Sequence, residues 1–161
     1  MPRETQFDGV RVRYDSAKSY DELLADIGDK PVRINEFAVA ADSWQAYQEK
    51  VEPHAGPSGF MLFALLDHGA WIAKAGIDGK VMRVILGNPL IAITMLRHDV
   101  SAGLFAPVEL LLMDERENRS SLSYVKPSSL MVVEHNPELL SAAEERDAKL
   151  AELATKVTSG S

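Results

Sequence analysis

The segment that most constrains the fold is residues 59–66, GFMLFALL, an apolar run followed at once by Asp67 and His68. A run this short and this apolar reads as a strand buried on both faces. Asp67 is then placed to cap a short helix over 68–75, which Gly76 can close. The arrangement repeats downstream. Residues 81–86 read as a strand, and Gly87-Asn88-Pro89 supplies a flexible turn, an N-cap and a proline at the first helical position, before a helix over 90–98. If a right-handed βαβ crossover joins the two strands, they are parallel neighbours and both junctions lie on one rim.

The remaining elements follow from periodicity and caps. Val10, Val12 and Tyr14 alternate with Arg11 and Arg13, the pattern of a strand with one buried face. Ser19 and Glu22 form a capping box ahead of Tyr20, Leu23, Leu24 and Ile27, and Gly28 ends that helix. Residues 29–41 fit neither period well, and Pro31 breaks them. Asp42 with Gln45 caps a helix that carries Trp44, Tyr47 and Val51 on one face and stops at Pro53. Residues 108–113 and 121–125 read as a hairpin with a six-residue charged loop over 114–119. The last helix spans about 137–157. Its stripe is Leu140, Ala143, Asp147, Leu150, Ala154 and Val157, and residues 158–161 read as frayed. The implied class is a two-layer α+β domain: a mixed β-sheet of about five strands, with βα units, a C-terminal hairpin and a long C-terminal helix.

Composition narrows function mainly by exclusion. The 161 residues suit a single domain, 1–161, and 46% hydrophobic with 25% charged residues is ordinary globular usage. Seventeen Lys and Arg against twenty-four Asp and Glu leave a net charge of −7, which speaks against nucleic acid or anionic lipid as a partner. No cysteine is present, so disulfides, thiolate metal sites and cysteine nucleophiles are excluded. The start has no apolar signal-peptide core and no stretch is long enough to span a membrane, so a cytoplasmic location is expected.

Two groups of residues are candidates for chemistry. Asp67, His68, Gly87, Asn88 and Pro89 form the first, a ligand-binding rim if the strands are parallel: helix starts offer unpaired N–H groups and a favourable dipole to an anion or polar ligand edge. Each is also ordinary N-cap chemistry. His98, Asp99, Glu109 and Tyr124 form a second cluster, expected at the opposite end of the sheet, with Phe105 beside them. His98 at a helix end and Glu109 at a strand start both have plain structural explanations. No G-x-S-x-G elbow, H-E-x-x-H, phosphate loop or G-x-G-x-x-G occurs, and the four histidines are scattered, so no cofactor and no metal site is expected. Met61, Met82, Met95, Met113 and Met131 read as core fillers. Asp147, on an apolar stripe, requires a cation or backbone donors if buried, most simply Arg11, Arg13 or Arg83.

GFMLFALLDHG, VILGNPLIAITM, LFAPVELLLMDE and LSYVKPSSL together resemble the bacterial and archaeal domain of unknown function 302 family over residues 59–133. Residues 10–28 are similar to that family's opening βα unit. The resemblance implies an α+β fold, often dimeric, with no settled activity. It makes residues 29–58 an insertion and 134–161 a C-terminal helical extension. Some members carry cysteines where this chain has Gly87 and Val108, so a thiol-based function is not implied here. The resulting expectation is a binding or accessory module for a small polar ligand, a homodimer without nucleic-acid or membrane partners. The alternatives are an enzyme using His68 as acid–base with Asn88 and helix N–H groups, or a protein-interaction domain presenting the Trp44–Tyr47 helix.

Overall fold

The computed structural model describes residues 1–160. Five strands form one sheet: β1 (Arg11–Ser16), β2 (Met61–Asp67), β3 (Val81–Gly87), β4 (Val108–Glu115) and β5 (Arg119–Val125), in the order β1-β5-β4-β3-β2. The helices are α1 (Tyr20–Ile27), α2 (Ile34–Ala40), α3 (Trp44–Val51), α4 (His68–Ile72), α5 (Pro89–Leu96), α6 (Pro127–Met131) and α7 (Pro137–Thr158). The α+β class, the number of strands, the hairpin and the long last helix are as expected. Among the described residues, no helix is long and apolar enough to cross a membrane.

The sheet is not mixed: every pairing is antiparallel. The reason lies in the connection between β2 and β3. Of the thirteen residues between the strands, α4 rises only about 7.5 Å and the rest folds back on it, with the Ile77 N–H on the Ile72 carbonyl and Gly69 packed against Gly79 and Val81. The linker never travels back along a strand of about 20 Å. The chain therefore turns at the end it has reached, and Asp67 pairs with Met82 while Met61 pairs with Gly87. As the sheet's edge strand, β2 is not buried on both faces either; Leu66 is 41% exposed.

One face of the sheet is covered by α1 and α7. Tyr20 and Leu23 from α1, and Leu150, Ala154 and Val157 from α7, pack on Val84, Leu86, Val108, Leu110, Leu112, Leu122 and Tyr124. A second cluster holds Met95 of α5, Ala102, Met131 of α6, and Leu139 and Ala143 of α7. Met61, Met82, Met95 and Met131 are buried as core fillers, whereas Met113 is half-buried on the other face.

The capping box at Ser19 is complete, with the Glu22 N–H donating to Ser19 Oγ and the Ser19 N–H to Glu22 Oε2. Ser43, not Asp42, caps α3, accepting from the Ala46 N–H at 3.1 Å. The hairpin loop shortens to 116–118, with Glu117 and Asn118 in the left-handed region. On α7 the inward residues are Leu139, Ala143, Arg146, Leu150, Ala154 and Val157. Leu140 is 39% exposed instead. Thr158 is still helical and buried, and its carbonyl accepts from Ser16 Oγ at 2.6 Å. Of the 158–161 stretch, Ser161 lies outside the described residues.

Candidate functional site

Both predicted junctions are well-made helix starts. Asp67 Oδ1 accepts the Ala70 N–H at 3.1 Å, and Asn88 Oδ1 accepts the Leu90 N–H at 2.9 Å. Pro89 opens α5 at its first position. Asn88 is buried and its Nδ2 also donates to the Gly59 carbonyl at 2.7 Å, tying α5 to the entry of β2. The antiparallel pairing nevertheless puts Asp67 and His68 at one end of the sheet and Gly87 and Asn88 at the other, about 20 Å apart. The shared rim does not exist. His68 Nδ1 accepts from Trp71 Nε1 at 3.2 Å, and the indole is 60% exposed.

The second cluster is corrected in the same way. Val108 pairs with Leu86, so β4 begins at the Gly87 end of the sheet and not opposite it. Glu109 and Tyr124 are near that end, but on different faces. Tyr124 packs among the core residues under α7 and stacks on Tyr14, with ring centroids 6.3 Å apart. Burial, with help from Tyr14 and Asp147, pushes its hydroxyl pKa far up. Glu109 points to the other face and pairs with Arg83, whose Nε donates to Glu109 Oε2 at 3.1 Å. His98 is exposed, and its carbonyl accepts from Asn136 Nδ2 at 3.4 Å. Asp99 caps the 3-10 turn over 100–105, and its two bonds from Ser101 hold its carboxyl below the usual range.

What the sequence reading missed is the sheet's second face. Strand register places Arg13, Ser123, Leu111, Arg83 and Leu66 in one row across all five strands. Arg11 with Val125, and Ile85 with Glu109, fall in the next. None of these belongs to either core cluster. Over β1, β5, β4 and β3 this face floors a cavity of about 550 Å³. Leu104 and Phe105 of the 3-10 turn, Pro107, and Pro127 and Leu130 of α6 build its wall. Three guanidinium groups, Arg11, Arg13 and Arg83, stand against a single carboxylate, Glu109, in its lining. Asp15 and Glu115 at the rim pair with Arg13, and Glu109 with Arg83, which leaves Arg11 as the cavity's guanidinium without a carboxylate partner among the described residues. Gly87 adjoins the wall, since a Cβ there would meet Pro107 and Phe63 at 3.1 Å.

The signal was present in the alternation of Arg11 and Arg13 with Val12 and Tyr14. It also explains why no arginine reaches Asp147: β1 sends both side chains to the face opposite α7. Asp147 accepts the Ser128 N–H at 3.1 Å instead, so a backbone donor serves it. Arg146 is the charged residue that α7 buries. It is 3% exposed, donates from Nη2 to the Phe105 carbonyl at 2.9 Å, and has an unpartnered Nε. Burial lowers its pKa well below the ordinary arginine value, to about 10.

The family model for Domain of unknown function DUF302 matches residues 36–157. The chain belongs to that family. The DUF302 match extends on both sides of the 59–133 stretch whose motifs carry the resemblance, taking in α3 and nearly all of α7. A similar solved structure is the crystal structure of uncharacterized conserved protein DUF302 from Bacillus stearothermophilus. It is 16% identical in sequence, with a TM-score of 0.65 over 91% of this chain and 97% of that one. At that identity the likeness speaks for the fold alone. No curated protein matches the chain. The function of this DUF302 domain is therefore uncharacterised at the level of its family.

Proposed function

We propose that this DUF302 domain is a binding module, without catalysis of its own, and that its ligand occupies the cavity on the uncovered sheet face. The observation that carries the reading is the cavity itself: about 550 Å³, floored by strand residues whose register fixes their spacing, within the size range of small-molecule sites. Ligand groups held by strands meet a rigid surface, which suits recognition. The enzyme alternative loses its support, because His68 and Asn88 stand about 20 Å apart, too far for both to act on one small substrate. Asp67, His68, Asn88 and Pro89 are assigned to holding helix starts, and Gly87 to admitting Pro107 against the sheet.

A second reading, a homodimer through the same face, is favoured by its apolar half. Leu66, Val81, Ile85, Leu111 and Met113 are exposed or half-buried where a solvated antiparallel face would carry polar residues. The reading places the module in a bacterial cytoplasm, and the acidic balance speaks against nucleic acid as its partner.

Native mass spectrometry of gently purified protein tests both readings, since it reports retained small molecules and subunit count together. The expected result is an added mass on the chain that disappears in Leu111→Trp, which fills the cavity floor. A bare chain in both proteins, or an added mass indifferent to Leu111→Trp, would refute the proposed seat.

A further inference from the structure

Resting on that reading of the cavity, we propose that its ligand is an amphipathic organic monoanion, a carboxylate on an apolar body, and that Arg11 is the residue that receives the carboxylate. The three cavity arginines are not equivalent. Arg13 already has two partners, Asp15 Oδ1 at 2.9 Å and Glu115 Oε1 at 2.8 Å. The Asp15 hydrogen bond and charge, with Glu115 behind them, raise its pKa above the ordinary value. Arg83 is committed to Glu109, the one carboxylate in the lining. Arg11 has no carboxylate within salt-bridge distance among the described residues.

One uncommitted guanidinium matches one negative charge. A phosphate monoester, close to doubly charged at neutral pH, would need a second free cation. The backbone that carries Arg11 is firmly placed, while its side chain is exposed. Beside it, the Val10 N–H donates to Ser129 Oγ at 3.0 Å and the Val10 carbonyl accepts the Lys126 N–H at 2.7 Å, so the start of β1 is fastened to the entry of α6. Ser123, in the adjoining row, has a hydroxyl without a hydrogen bond among the described residues, and it lines the same cavity. It supplies a second donor.

The rest of the lining suits the apolar body. Leu111 and Met113 form the floor, and Phe105, Pro107 and Leu130 the wall. The ion pairs at Arg13 and Arg83 flank this strip. They lie in one row three strand spacings apart, about 14 Å, which leaves room for a ring system or a short chain between them.

The test titrates the full chain with two probes of nearly the same shape, 2-naphthoate and its neutral counterpart 2-naphthol, by calorimetry at neutral pH and low salt. A hydrogen-bonded ion pair of this kind is worth about tenfold in affinity or more. The expected result is naphthoate binding at least tenfold tighter than naphthol. Arg11→Gln should erase that preference while leaving naphthol affinity unchanged, and Arg33→Gln on the far side of the domain should change neither. Leu111→Trp should weaken both probes together. Equal affinity for the two probes, or a preference that survives Arg11→Gln, overturns the assignment to Arg11 while the cavity reading stands. Failure of both probes to bind, or binding indifferent to Leu111→Trp, overturns the cavity reading and this inference with it.

Discussion

Replacing Arg146 with methionine should leave the fold nearly as stable as it is, although a buried charge disappears. Lowering the guanidinium pKa from the ordinary arginine value to about 10 corresponds to roughly 3 kcal/mol against the charged form. Opposing this is one charge-assisted hydrogen bond to the Phe105 carbonyl, worth about 1.5–3 kcal/mol, with a weak contact to Met131 Sδ at 3.6 Å. Methionine removes the charge and the orphaned Nε and keeps much of the stem volume; its one loss is that same hydrogen bond, whose absence leaves the Phe105 carbonyl bare. These terms nearly cancel, so Arg146→Met should fall within about 1 kcal/mol of the parent, as buried ion sites often do when replaced by apolar groups. Arg146→Ala bares the same carbonyl and also opens a void beside Met131, and should lose about 3 kcal/mol. Urea unfolding followed by circular dichroism separates the two.

The pH dependence has a definite sign. A base whose folded pKa lies below its unfolded one loses its proton first in the native state, so the parent gains stability only as pH rises from about 10 towards the ordinary arginine value. Below that window the penalty is constant, and the difference between parent and Arg146→Met should be flat across neutral pH. A loss above about 3 kcal/mol for Arg146→Met, equal to that of Arg146→Ala, would refute this accounting. It would show that the guanidinium pins the Phe105 wall with net benefit.

Two further outcomes follow from the junction at the end of β3. Asn88→Ala should cost about 2 kcal/mol, a cap plus the bond to Gly59, against about 1 kcal/mol for Ser19→Ala. Asn88→Asp, an equally good cap, should still lose stability because it cannot donate to the Gly59 carbonyl; full stability in that variant by thermal melting would contradict the second role. Gly87→Ala should cost about 1 kcal/mol through its contacts with Phe63 and Pro107, and Phe63→Leu should return part of it in the double variant. Additive losses in that cycle would mean the two positions do not press on each other.

What the sequence made legible here is local, and what it hid depends on how far a connection can travel. The caps at Ser19, Asp67 and Asn88 use side chains within three residues of the groups they satisfy, so their spacing announced them. Strand direction is a different kind of quantity. Between β2 and β3 the apolar run, the cap and the closing Gly76 would look alike in a crossover or a return; the thirteen-residue linker is long enough for either, and it is the folding of residues 76–80 back on α4 that makes the sheet antiparallel. On α7, Leu139 and Leu140 are both apolar, and either starts a stripe with steps of three and four. The choice between Arg146 and Asp147 as the inward residue then rests on what waits across the gap, the Phe105 carbonyl for one and the Ser128 N–H for the other.

The cavity shows the same limit most sharply. Alternation placed Arg11 and Arg13 away from the core, and a face away from the core reads as solvent. It becomes a site only because the 3-10 turn over 100–105 and α6, each attached to a different strand, rise beside the same end of the sheet. Neither element has a signal naming that partner. The helices that wall the cavity also pack against the buried side of α7 through Met131 and Arg146, so the shape of the site is set from the core, through contacts on the far side of its wall. A change at Arg146 that left stability intact but loosened the Phe105 wall would therefore be read first in ligand affinity, before any loss of fold.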